Sequence, residues 1–174
     1  MEEYVVRLSG LEDGTHEFEF TLDDSFFAAF DYDEIKSGAV EALVSLIKKP
    51  GLLTLDIHLK GMVSLVCDRC LEEYQQTVEK QEQLYLKYGD HAEELEDNVV
   101  MIPGETHEIR VPQYLFEFTV LSLPLKKVHP DREDGSSGCN QNMLNKLNEH
   151  TIRKGEQEID PRWNELKKII EKNN

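Results

Sequence analysis

The chain has 174 residues, 39% of them hydrophobic and 31% charged, with a formal net charge of −16. That length fits one domain with an ordinary core, and no apolar run approaches the roughly 20 residues of a membrane-spanning helix. Three cysteines are too few for a disulfide framework, and the start Met1-Glu2-Glu3-Tyr4 is acidic where a secretory signal is basic and then apolar, so a reduced, cytoplasmic protein is expected.

The charge is unevenly placed. Residues 1–109 hold 8 of the 19 Lys and Arg but 25 of the 35 Asp and Glu, a balance of −17; residues 110–174 hold the other 11 and 10, a balance of +1. The front part repels a phosphate backbone and attracts cationic proteins, whereas the back tolerates either.

In chain order, residues 4–8 and 15–22 alternate apolar with polar and are separated by Gly10 and Gly14, which reads as two short strands joined by a turn. Asp23-Asp24-Ser25 offers an N-cap for a brief helix carrying Phe26, Phe27 and Phe30. Residues 39–48 are ambiguous, since Val40, Leu43, Val44 and Ile47 suit a helical face while the stretch is short and partly β-branched; Lys49-Pro50-Gly51 then makes a turn. The clearest pattern follows: Leu53, Leu55, Ile57, Leu59, Val63 and Leu65 alternate with polar residues, a long strand with one buried face and a bulge or bend expected at Gly61. Tyr74, Val78, Leu84, Leu86 and Tyr88 suggest a second long strand, so that the two form an antiparallel hairpin with Cys67-Asp68-Arg69-Cys70 at its tip; a charged helix is the competing reading of 71–88.

Residues 89–98 are acidic and read as a solvated loop, and 107–111 as a strand. Pro112 suits the first turn of a helix carrying Leu115, Phe118 and Leu121, which Pro124 stops. Residues 130–140 are a loop by composition, Met143, Leu144 and Leu147 imply a short helix, and Asp160-Pro161 starts a last helix striped by Trp163, Leu166, Ile169 and Ile170. The sum is an α+β fold, a curved, largely antiparallel and barrel-like β-sheet with short helices packed beside it. One domain over 1–174 is expected, acidic and β-rich to residue 109 and helical and near-neutral beyond.

Cys67 and Cys70 are spaced to share one tetrahedral metal ion. Zinc needs two more ligands, and Cys139 with His129, ten residues before it, can supply them; free thiols at a hairpin tip remain the competing reading. A thioredoxin-like redox pair belongs at a strand-to-helix junction, and this one lies between strands. The sequence contains no Gly-x-Ser-x-Gly, phosphate-binding loop, His-Glu-x-x-His or dinucleotide fingerprint, so no catalytic residue is assigned and no small-molecule substrate is expected. Lys126 and Lys127, with Arg162, Lys167 and Lys168 on the last helix, are the candidate phosphate contacts; an ordinary charged surface explains each of them alone.

Val66-Cys67-Asp68-Arg69-Cys70-Leu71-Glu72 after a long alternating strand resembles the signature of the YceD family, the large ribosomal RNA subunit accumulation proteins. Leu121-Ser122-Leu123-Pro124-Leu125, the following His129 and Cys139, and Asp160-Pro161-Arg162-Trp163 with Leu166 resemble its later segments in the same order. The resemblance implies a non-enzymatic cytosolic factor in 23S rRNA accumulation or large-subunit assembly, with 23S rRNA or a pre-50S particle as partner. A second reading is an acidic module that holds a small basic ribosomal protein of the large subunit; a third is a thiol oxidoreductase using the cysteine pair.

Overall fold

The computed structural model describes residues 3–96 and 98–151, with only the backbone of residues 94–96. In chain order it contains β1 (Val5–Arg7), β2 (Gly14–Leu22), α1 (Asp24–Ala28), β3 (Ile35–Lys49), β4 (Leu52–Val66), β5 (Glu73–Gly89), β6 (Glu93–Glu96), β7 (Val99–Pro103), β8 (Glu108–Arg110), α2 (Pro112–Leu121) and α3 (Gln141–His150). None of the described helices is long and apolar enough to cross a membrane. The helix expected from Asp160-Pro161 lies outside the described residues.

Period-two alternation makes the three long strands. β4 pairs antiparallel with β3 on one side and with β5 on the other, and its ladder with β5 runs from Leu52 opposite Lys87 to Val66 opposite Glu73 without a shift in register. Leu53, Leu55, Ile57, Leu59, Val63 and Leu65 are fully buried, as are Val40, Val44 and Leu46 from β3 and Val78 and Leu86 from β5. Each such side chain removed from water contributes about 1.5–3 kcal/mol before the entropy of ordering is subtracted. Residues 39–48 are therefore strand: the even positions turn inward, and Leu43 and Ile47 lie half-buried on the outer face.

The six-stranded sheet has the order β2-β3-β4-β5-β7-β6, and β1 pairs with β8 in a separate two-stranded ribbon. All neighbours are antiparallel except β5 and β7. The α+β class and the mostly antiparallel sheet are as expected, but the barrel-like curvature is not. The sheet stays open, with β2 and β6 as its edges among the described residues, because closure needs repeated bulges or glycine kinks and paired end strands. The long ladders carry one irregularity, between Ile35 and Ser37. Nor do β1 and β2 pair with each other, as their proximity in sequence implied.

Two further expectations change. The acidic stretch before Asn98 contributes the short edge strand β6, and β7, unread in the sequence, pairs between it and β5. Gly61 is not a bulge, since it stays in register with Val40 and Val78.

The inner face of the sheet is covered by Tyr4 and Val6, by Phe26 and Phe27 of α1, by Ile109 and Val111, and by Leu115 and Phe118 of α2. Asp23 caps α1 by accepting from the Phe26 amide at 3.0 Å. Pro112 stands in the first turn of α2, where its missing N–H has no helical partner to lose. Phe116 on that helix stacks on Phe30 with ring centroids 3.9 Å apart.

A Cβ at Gly61 would sit 2.2 Å from Ala39 O and 2.6 Å from Val40 Cα, in the backbone of β3. Gly61→Ala is expected to destabilise the fold by about 1–3 kcal/mol, read as a lower urea midpoint at unchanged slope. Gly104→Ala, where nothing lies within 4 Å, should stay within about 0.5 kcal/mol.

Candidate metal centre

The β4–β5 ladder ends at Val66 and Glu73, leaving six residues to close the tip. Cys67 N–H donates to Glu72 O at 2.9 Å and Leu71 N–H to Cys67 O at 2.9 Å. This tight reversal needs a left-handed residue, and Leu71 takes that place with φ of 62° and its side chain 68% exposed. A leucine there is uncommon, because Cβ crowds the following carbonyl.

Residues 122–140 contain no helix or strand, yet they are held against this tip at several points. Asp68 N–H donates to Lys127 O, and Lys127 N–H donates back to Asp68 Oδ2, both at 2.7 Å. Lys127 Nζ pairs with Glu34, so the strap is tied to the turn before β3 as well. Asn140 caps α3 through the Asn142 and Met143 amides and donates its Nδ2 to Glu72 Oε1 at 2.6 Å. Gly138 allows the strap to fold back on itself: a Cβ there would lie 2.3 Å from Pro130 O.

These ties bring together the four residues that the spacing singled out. Cys67 Sγ lies 3.7 Å from Cys139 Sγ, and Cys70 Sγ lies 3.3 Å from His129 Nδ1. All four ligand atoms fall within 4.8 Å of one another. Tetrahedral zinc at ordinary bond lengths sets two thiolates about 3.8 Å apart and a thiolate and an imidazole nitrogen slightly closer, so the donor set and its dimensions fit. Cys67, Cys70 and Cys139 are all buried and His129 is half-buried, packed beside Tyr74 at a ring distance of 5.1 Å. The cluster can hold a metal ion, with each of the four coordination positions of a tetrahedral ion met by a protein atom.

The electrostatics point the same way. Burial opposes ionisation of Cys67, but the amides of Cys70 and Arg69 and the His129 ring stabilise the thiolate more, and its pKa falls from 9.0 to about 6. Burial pushes Cys139 up against the opposing Ser137 hydroxyl, and the neighbouring Cys67 adds to the rise. Burial and then the charge of Cys67 raise Tyr74 in the same way. Three thiolates this close repel one another unless a cation lies between them.

Of the basic residues singled out, Lys126 is exposed beside the knuckle. Lys127 is engaged: its backbone bridges to Asp68 and its ammonium to Glu34. Arg162, Lys167 and Lys168 lie outside the described residues. Sequence reasoning missed Glu34, Asp68, Glu72 and Asn140 as the residues that clamp the strap. Asn140 had a legible signal, an N-cap residue before a short helix, whereas nothing near Glu34 announces a contact 93 positions away.

The lowered Cys67 pKa predicts a pH dependence for metal-free protein. A folded pKa below the unfolded one gives stability that is complete above about 9 and is lost as pH falls through about 6. The raised Cys139 acts oppositely, losing its contribution as pH rises above the ordinary thiol value. Urea midpoints of chelator-treated protein should therefore rise between pH 6 and 8, and Cys67→Ser should flatten that slope.

Against known proteins, the family model described as large ribosomal RNA subunit accumulation protein YceD matches residues 55–170. No curated protein matches the chain, and no solved structure does. The matched span takes in β4 from residue 55 onward, β5, the knuckle between them, the strap and both of its candidate ligands. The chain belongs to the YceD family of large ribosomal RNA subunit accumulation proteins.

Proposed function

We propose that this chain is a non-enzymatic ribosome-biogenesis factor, required for 23S rRNA accumulation and large-subunit assembly, that contacts 23S rRNA or a pre-50S particle. The observation that carries the reading is the family match over residues 55–170. One core cluster that runs from Tyr4 to Cys139 supports treating both parts of the chain as a single domain.

In this reading Cys67, Cys70, His129 and Cys139 hold one structural zinc ion, which neutralises the crowded thiolates and fastens the strap to the hairpin tip. The role is architectural: all three sulfurs are buried, which speaks against thiol exchange with a protein substrate. Lys126 beside the tip, and Arg162, Lys167 and Lys168 later in the chain, serve as phosphate contacts. Lys127 contributes only when its pair with Glu34 opens. With a balance of −17 over residues 1–109, any RNA footprint is small and strongly salt-dependent.

A second reading has an observation of its own. Glu17 and Glu19 project, exposed, from the outer face of the sheet, opposite the face that α1 and α2 cover, and Glu41 and Glu79 do so on either side of Lys60. Such a face suits an acidic module that holds a basic large-subunit ribosomal protein until delivery.

In a deletion strain, sucrose gradients should show reduced 50S particles and 23S rRNA, with the tagged protein in pre-50S fractions of the complemented strain. Normal profiles with the protein only at the top of the gradient would overturn the biogenesis reading. Protein purified without a histidine tag should carry about one equivalent of zinc by elemental analysis. Cys139→Ser should lose most of it and melt at lower temperature, whereas metal far below one equivalent in the parent removes the zinc assignment. Lys126→Glu should weaken association with particles while leaving the zinc content unchanged.

A further inference from the structure

β2 is the longer of the two strands that form the edges of the six-stranded sheet among the described residues. It pairs with β3 along all nine residues, Gly14–Leu22, with no shift in register. Which of its backbone groups remain free follows from the next turn in the chain. Pro50-Gly51 is a two-residue connection closing on Lys49 and Leu52, so the odd residues of β3 exchange hydrogen bonds with β4 and the even ones turn to β2. Their partners on β2 are His16, Phe18 and Phe20. The N–H and C=O groups of Thr15, Glu17, Glu19 and Thr21 therefore face outward. Thr21 O bears this out by accepting the Tyr4 hydroxyl at 2.8 Å from outside the sheet. The backbone groups of Thr15, Glu17 and Glu19 have no partner among the described residues, and all three residues are exposed.

The side chains along this edge divide by face. Phe18 and Phe20 lie on the inner side, half-buried at the rim of the core. Glu17 and Glu19 lie on the outer side and make no ion pair among the described residues. Edges are ordinarily blunted by shortness, bulges, proline or lysine. β6, at the opposite edge, has four residues and a shifted register. β2 has none of these guards. Among the described residues its deterrents are Tyr4, which closes the Thr21 end, and the carboxylates, which select among visitors along the rest. A second copy docked antiparallel about Phe18 would set Glu17 against Glu19 twice, an unfavourable like-charge pairing. A phosphate backbone is repelled for the same reason.

We propose that β2 is a docking edge for an extended, cationic segment of a protein partner. The segment adds as a further strand, its main chain pairing with Thr15, Glu17 and Glu19, its Lys or Arg side chains beside the two glutamates, and its apolar side chains over Phe18 and Phe20. This deepens the second functional reading and rests on it.

The test uses the full-length protein and a nine-residue synthetic peptide of alternating lysine and valine. Amide resonances of residues 15–21 should shift on titration, and Glu17→Lys with Glu19→Lys should weaken binding by about tenfold or more. Glu19→Pro should abolish it with the fold kept, because the N–H it removes points away from β3. Shifts confined to other surfaces, unchanged affinity in the charge-reversed protein, or no binding at millimolar peptide would each overturn the proposal. Capture of a basic ribosomal protein that leaves the β2 amides unprotected from hydrogen exchange would sink the edge and spare the functional reading. Peptide binding at the edge without capture of any ribosomal protein would do the reverse.

Discussion

The uninterrupted ladder between β4 and β5 is the constraint on which the rest of the molecule depends. It supplies the middle of the sheet, so the inner face of β4 becomes the floor of the core, on which α1, α2 and the β1–β8 ribbon settle. It also fixes in space the point where Val66 meets Glu73, and therefore where the knuckle stands. A one-residue slip would turn the whole buried row of β4 outward and carry Cys67 to the wrong face. Register and candidate site are thus one property: the burial that enforces the pairing also aims the sulfurs.

At the tip the physics changes from apolar burial to charge. Three buried thiols and a half-buried imidazole are packed together, and the backbone amides that favour the Cys67 thiolate make the crowding worse for Cys139. A cation resolves that conflict, which is why such donor sets hold metals when they converge. The strap gains most. It contributes little regular structure, and its attachment rests on the Asp68–Lys127 exchange, the Glu34 ion pair, the Asn140–Glu72 contact and the four candidate ligands. Since the ligands come from both the hairpin and the strap, binding an ion and docking the strap stabilise each other.

The surfaces at the sheet edge and the tip differ in chemistry. Along β2, carboxylates stand beside main-chain groups that have no partner among the described residues, a chemistry that favours cationic polypeptide over nucleic acid. Beyond the knuckle the charge is near balance, and Lys126 is presented to solvent.

Much of this was legible in the sequence. The alternation through Leu53–Leu65 and Tyr74–Leu86, the cap at Asp23, the proline at the start of α2 and the Cys67–Cys70 spacing all act over short separations, where side-chain period and turn chemistry decide the outcome locally. Residues 39–48 were not decidable that way, since Val40, Leu43, Val44 and Ile47 fit either period; pairing with β2 and β4 settled them as strand. Whether the sheet closed was also a tertiary matter. It turns on how many bulges bend the ladders and whether the end strands meet, and neither property is carried by the alternation itself. The same holds at the Cys67–Cys70 knuckle. The sequence by itself determined two thiols at a hairpin tip and named Cys139 and His129 as residues able to join them. Only the tertiary structure brought them within 4.8 Å, through contacts such as Lys127 with Asp68 and Glu34 that span tens of residues and leave no periodic trace in the chain.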